Sequence, residues 1–153
     1  MTQLRERTTL TTRPPPDEAT VEREDGHTAT ILRTLGAVAV LVVGAVHLEQ
    51  YLAGYHNISV IGPLFLLNFA GSTVIGLGLL VPAVRLRAVH LLCALGGIAL
   101  AGTSFVFLFV SEHEPLFGFQ ESGYRAAIVV ALAAEAVAVV TLAAYVVMRM
   151  RRS

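Results

Sequence analysis

Residues 125–148 read "RAAIVVALAAEAVAVVTLAAYVVM", a run that opens on Arg125 and holds one ionisable residue, Glu135, among alanine, valine and leucine. At 1.5 Å per residue it is long enough to cross the roughly 30 Å of hydrocarbon in a bilayer. The run is apolar in continuous stretches rather than in alternation, which selects a transmembrane helix over a barrel strand. Three further runs of this kind, at about 31–53, 60–83 and 88–110, complete a set of four.

Composition agrees with that reading. Hydrophobic residues make up 55% of the 153 and charged residues 14%, against about 25% charged in soluble domains; the mean hydropathy is +0.69. Four crossings of about 20 residues each, with a tail, use up the chain. No large soluble catalytic domain fits, so the expectation leans away from an enzyme. The one cysteine, Cys93, excludes a disulfide or thiol relay within the chain and reads as a packing residue.

Residues 1–29 are rich in threonine, carry four Arg against six acids, include Pro14, Pro15 and Pro16, and hold almost no large apolar side chain. Such a segment cannot bury enough surface to offset the entropy of ordering, so it is expected to be a disordered cytoplasmic tail. It also lacks the apolar core of a signal peptide. Residues 30–153 form the expected transmembrane domain.

Orientation is read from the loops. Arg23 and Arg33 flank the start of helix 1, Arg85 and Arg87 lie between helices 2 and 3, and Arg149, Arg151 and Arg152 follow helix 4. The loop after helix 1 is uncharged, and the loop after helix 3 carries Glu112, Glu114 and Glu121. The positive-inside rule places both termini in the cytoplasm. Arg125 runs against the pattern and, as a boundary residue, is expected to snorkel to the headgroups. Short connections favour an up-down-up-down bundle.

Helices approach closely in lipid where side chains are small. On helix 3, His90, Ala94, Gly97, Ala101 and Ser104 recur at spacings of four, three, four and three, which draws one stripe. Helix 1 offers Ala37, Gly44, His47 and Tyr51; helix 2 offers Asn68, Gly71 and Ser72; helix 4 sets Glu135 between Ala131 and Ala138. The plain reading of these stripes is helix packing without a ligand.

Glu135 lies about 15 Å down its helix from Arg125 by the same rise, close to the midplane, where an acid costs about 2.5 to 3.5 kcal/mol. It should be protonated, paired or wet, and as a neutral acid it would donate to an oxygen on another helix. His47, Asn68 and Ser104 fall at similar depth on their helices, with Ser72 near the level of Glu135. Converging faces would gather Glu135, His47, Asn68, Ser72 and Ser104 into one buried polar cluster; otherwise each is packing glue. Glu49 points about 200° away from His47 and is expected at the membrane surface, with Gln50 and Tyr51 as interfacial residues.

Weaker candidates lie outside the apolar runs. His56, His113, Glu112 and Glu114 carry metal-ligating groups, but no HExxH and no i, i+4 histidine pair is present, and "EHE" at 112–114 reads as a solvated, extended loop. His47 and His90 fall at different depths and cannot share a haem. No cofactor is expected. In the loop after helix 3, Leu116, Phe117, Phe119 and Tyr124 read as residues dipping into the interface or capping the bundle's mouth, and Ser122 as an N-cap of helix 4.

The segments "VHLEQYL", "IGPLFLLNFAGSTVIGLGLL" and "PLFGFQESGYRAAIV" resemble the small four-helix integral membrane proteins of unassigned function common in actinobacteria. The resemblance covers roughly residues 31–148. It implies a bacterial plasma (inner) membrane and brings no catalytic residues with it. The function expected from the sequence is structural or accessory, with the bilayer, a second copy or a larger membrane complex as partner and no nucleic acid. The alternative is a small proton- or cation-linked transporter in which Glu135 titrates, with a metal or redox protein as a minor third.

Overall fold

The computed structural model describes residues 18–82, 87–115, 117–118, 120 and 125–151, with side chains from residue 23 onward. Four α-helices run in order: α1 Glu18–Ala53, α2 Ile61–Leu80, α3 Arg87–His113 and α4 Ala126–Met150, with a 3-10 turn at Tyr55–Asn57 between α1 and α2. The described residues contain no strand. Each of the four helices is long and apolar enough to cross a membrane.

The helix ends correct several sequence expectations. α1 begins at Glu18 rather than near residue 31, so residues 18–29 are helical and not disordered. Within this stretch Thr28 and Thr30 bond back to the carbonyls of Glu24 and Gly26 at 3.0 Å. Residues 1–17 lie outside the described residues. α3 continues to His113, so Glu112 and His113 belong to its last turn rather than to an extended loop. Pro115, two residues on, cannot continue the helix and disfavours helical geometry at Glu114. α4 starts after Arg125, which supplies no side-chain cap; Ser122, like Leu116, Phe119, Glu121 and Tyr124, lies outside the described residues.

The helices form a four-sided arrangement. α1 packs beside α2 and α4, α3 packs beside α4 and α2, and α1 and α3 meet only across the diagonal. On α3 the expected stripe is buried at His90, Ala94, Gly97 and Ala101; on α4 it is buried at Ala131, Glu135 and Ala138, and the buried face continues through Leu142 and Tyr145. Leu142 shows how these faces close. Its isobutyl group fills the space that a Cβ would occupy at Gly36 of α1 and at Gly97 of α3, so one apolar knob holds three helices together. Between α1 and α2, a Cβ at Gly44 would lie 2.7 Å from that of Ser72, a separation only glycine permits. Large apolar side chains such as Leu52, Leu67, Val74, Leu92 and Val140 point outward, as the lipid-facing surface of a bundle requires.

At one end of the bundle, Arg33 of α1 and His90 of α3 converge on the carbonyl of Val81, the residue that ends α2. The Arg33 guanidinium donates to that carbonyl at 3.3 Å and lies 2.9 Å from His90 Nε2, which is itself 3.0 Å from the same oxygen. The last carbonyls of a helix have no partner within it, and a cation there also complements the helix dipole. Arg149 stands over the Tyr145 ring at 5.4 Å at this end. This is called the arginine end below, and the opposite one the loop end.

Candidate functional site

Three of the five residues expected to cluster do so. His47 on α1, Ser104 on α3 and Glu135 on α4 line one cavity of about 120 Å³ at the loop end. Its remaining wall comes from the loop-end turns of all four helices and from Tyr55 of the 3-10 turn, and is mainly apolar: Ile61, Leu64 and Phe65 from α2, Phe107 and Leu108 from α3, Ile128 and Ala131 from α4.

The hydrogen bonds fix the protonation pattern of the cluster. A backbone carbonyl only accepts, so the 2.8 Å contact between His47 Nδ1 and the Val43 carbonyl puts a proton on Nδ1. In the neutral ring Nε2 is then an acceptor, and the Ser104 hydroxyl donates to it at 3.0 Å. Ser104 is also the side chain that interacts with Glu135. Its single proton is engaged by His47, and neither carboxyl oxygen of Glu135 receives a hydrogen bond from a described residue. Glu135 is nonetheless 0% exposed. Val43, His47, Ser104 and Glu135 thus form a polar line across α1, α3 and α4 whose last member is unsatisfied.

Asn68 and Ser72 stand apart from this line. Ser72 donates to Asn68 Oδ1 at 3.1 Å, one turn away on α2, and neither residue lines the cavity. The rotation of α2 is set by its buried residues Ile61, Gly62, Ser72, Gly76 and Leu79, which leaves Asn68 at the edge of the packed face. One cluster of five is therefore corrected to a line of three beside a separate local pair.

Gln50 is the residue sequence reasoning misplaced most. Expected at the interface, it is only 7% exposed and lines the cavity. It lies three residues beyond His47, so helical spacing alone puts it on the same face. Its amide nitrogen donates to Glu49, which is exposed; the amide orientation follows from that bond, and Oε1 is left buried without a described partner. Ser111, which the sequence did not single out, is buried against the cavity and donates to its own helix at Leu108 O, 2.9 Å.

Aromatic rings lead from the cavity to its mouth. The His47 and Phe65 rings lie 4.9 Å apart, and Phe65 stacks on Tyr55 at 4.9 Å and 22°. Arg125 donates to the Tyr55 hydroxyl and sits over its ring at 5.9 Å. Arg125, expected to reach headgroups, therefore anchors the start of α4 to the 3-10 turn.

The weaker metal candidates stay dispersed. His56 bonds to Tyr51 O at 2.9 Å and His113 to Phe109 O at 2.8 Å, both local backbone contacts at exposed positions. No three His, Cys, Asp or Glu side chains among the described residues come close enough to share a metal ion.

No protein-family model, curated protein sequence or solved structure matches this chain.

Proposed function

We propose that this protein is a small proton- or cation-linked carrier of a bacterial plasma membrane, an up-down-up-down bundle with both termini cytoplasmic. Glu135 is the group that binds and releases the proton or cation. The observation that supports this reading is the unpartnered Glu135 carboxyl at the wall of a cavity. A buried polar group kept for packing alone is hydrogen-bonded in nearly every folded protein, and an unpaired one costs about 1 to 3 kcal/mol, more when charged. Ionisable groups inside a membrane domain mark ion and proton pathways.

The polar line supplies a route for the proton. A protonated Glu135 can donate to the Ser104 oxygen while Ser104 passes its own proton to His47 Nε2, leaving a carboxylate on α4 and an imidazolium on α1. The imidazolium keeps its Nδ1–H bond to the Val43 carbonyl throughout. Arginines at one end and glutamates at the other support the orientation, which sets the cavity on the outer side.

The test is flux. Wild-type protein in proteoliposomes should dissipate an imposed pH gradient, and Glu135→Gln should abolish that flux while leaving thermal stability nearly unchanged. Absence of flux in the wild type, with a large stability loss in Glu135→Gln, would sink the carrier reading. A structural or accessory role in a membrane complex is the second reading, favoured by the tie of Arg33, His90 and Val81, which joins α1 and α3 to the end of α2.

A further inference from the structure

We infer that the loop-end cavity binds a small organic ammonium, a primary amine in its protonated form, with its nitrogen on Glu135 and its alkyl body against the aromatic wall. The inference rests on the carrier reading in taking Glu135 as the binding group, and narrows what it binds.

The buried oxygens without a described partner on the cavity's wall are Glu135 Oε1, Glu135 Oε2 and Gln50 Oε1, all acceptors when Glu135 is ionised. Donors on the same wall are engaged within the protein: His47 Nδ1–H with Val43 O, the Ser104 hydroxyl with His47, and the Ser111 hydroxyl with Leu108 O. A complementary guest therefore brings N–H donors, and the carboxyl selects a positive one. Gln50 and Glu135 reach the wall from different helices, α1 and α4. Bare metal cations suit a tight cage of six or more oxygens for Ca²⁺, or a strict octahedron for Mg²⁺, which these three oxygens alone do not provide.

The rest of the wall suits an alkyl chain bearing a cation. Phe65, Tyr55 and Phe107 present aromatic surface, to which ammonium groups and their adjoining methylenes are attracted. Size sets the upper limit. An apolar cavity of about 150 Å³ is known to hold benzene, so the 120 Å³ here takes a guest of about five heavy atoms, the size of n-butylammonium. Tetramethylammonium has the charge and nearly the bulk but no N–H donor, and n-butanol has the shape and a donor but no charge.

The experiment is calorimetric titration of the purified full-length protein with n-butylammonium, tetramethylammonium and n-butanol, alongside the proteoliposome flux assay. n-Butylammonium should bind about tenfold or more tightly than either analogue, because each lacks one charge-assisted contact. Glu135→Gln should weaken n-butylammonium by about tenfold or more, and Gln50→Leu, which leaves the carboxyl in place, by about fivefold. Equal binding of n-butylammonium and tetramethylammonium, or no binding of n-butylammonium, overturns the inference; so does undiminished affinity in both variants. Glu135-dependent proton flux without n-butylammonium binding removes the ammonium guest and leaves the carrier. Glu135-dependent binding without flux keeps the guest and removes the carrier.

Discussion

The two ends of the bundle bury ionisable groups on the same packed faces and treat them in opposite ways. At the arginine end, His90 is 4% exposed and meets Arg33 and the Val81 carbonyl, so a helix terminus that would otherwise leave a carbonyl unsatisfied is tied to two neighbouring helices. At the loop end, Glu135 is fully buried, yet its one interacting side chain, Ser104, has its proton engaged by His47. Burial alone does not separate glue from site. What separates them is whether the polar atoms find partners and whether space is left beside them.

Breaking the satisfied end should have the largest effect. His90→Leu removes the imidazole from the Val81 carbonyl and from Arg33, and is expected to cost about 2 to 3 kcal/mol, read as a lowered midpoint in denaturant or thermal unfolding. Next comes Gly62→Ala. A Cβ at residue 62 would lie 2.9 Å from the Tyr55 carbonyl oxygen and 3.0 Å from the His56 Cα, backbone atoms that cannot move aside as a side-chain tip can. The expected loss is about 1 to 2 kcal/mol, together with weaker n-butylammonium binding in the same titration, because Tyr55 shifts at the mouth.

Smaller effects sharpen the contrast. Ser104→Ala should cost about 1 kcal/mol and slow any Glu135-dependent flux, since it breaks the line to His47; unchanged flux would place the proton route elsewhere. Asn68→Ala, which removes only the local bond from Ser72, should cost about 0.6 kcal/mol and leave flux and binding as in the wild type. An Asn68 variant with the flux defect of Ser104→Ala would restore Asn68 to the functional cluster.

The four helices were legible because continuous apolar runs of bilayer length have few other readings, and α3 and α4 announced their buried faces through the spacing of Ala94, Gly97 and Ala101 and of Ala131, Glu135 and Ala138. The convergence of His47, Ser104 and Glu135 was legible from depth and rotation together. Asn68 was not, because α2 is apolar almost all round and offers no polar face from which to judge its rotation; the glycines and Ser72 that set it look like ordinary membrane residues. Gln50 was hidden by an assumption about depth, since a polar residue near a helix end reads as interfacial even when it shares the face of a buried histidine. The early start of α1 was obscured by composition. Residues 18–29 are too polar to form a core, but a helix continuing out of the bundle needs none.

Whether Glu135 is kept for binding or for holding the bundle together is decided by the thermal unfolding midpoint of Glu135→Leu. Replacing an unpartnered buried acid by an apolar side chain of similar size is expected to leave stability unchanged or raise it by about 1 to 3 kcal/mol, so the midpoint should equal or exceed that of the wild type. A midpoint several degrees lower would show that the carboxyl holds the helices together and is not kept for binding.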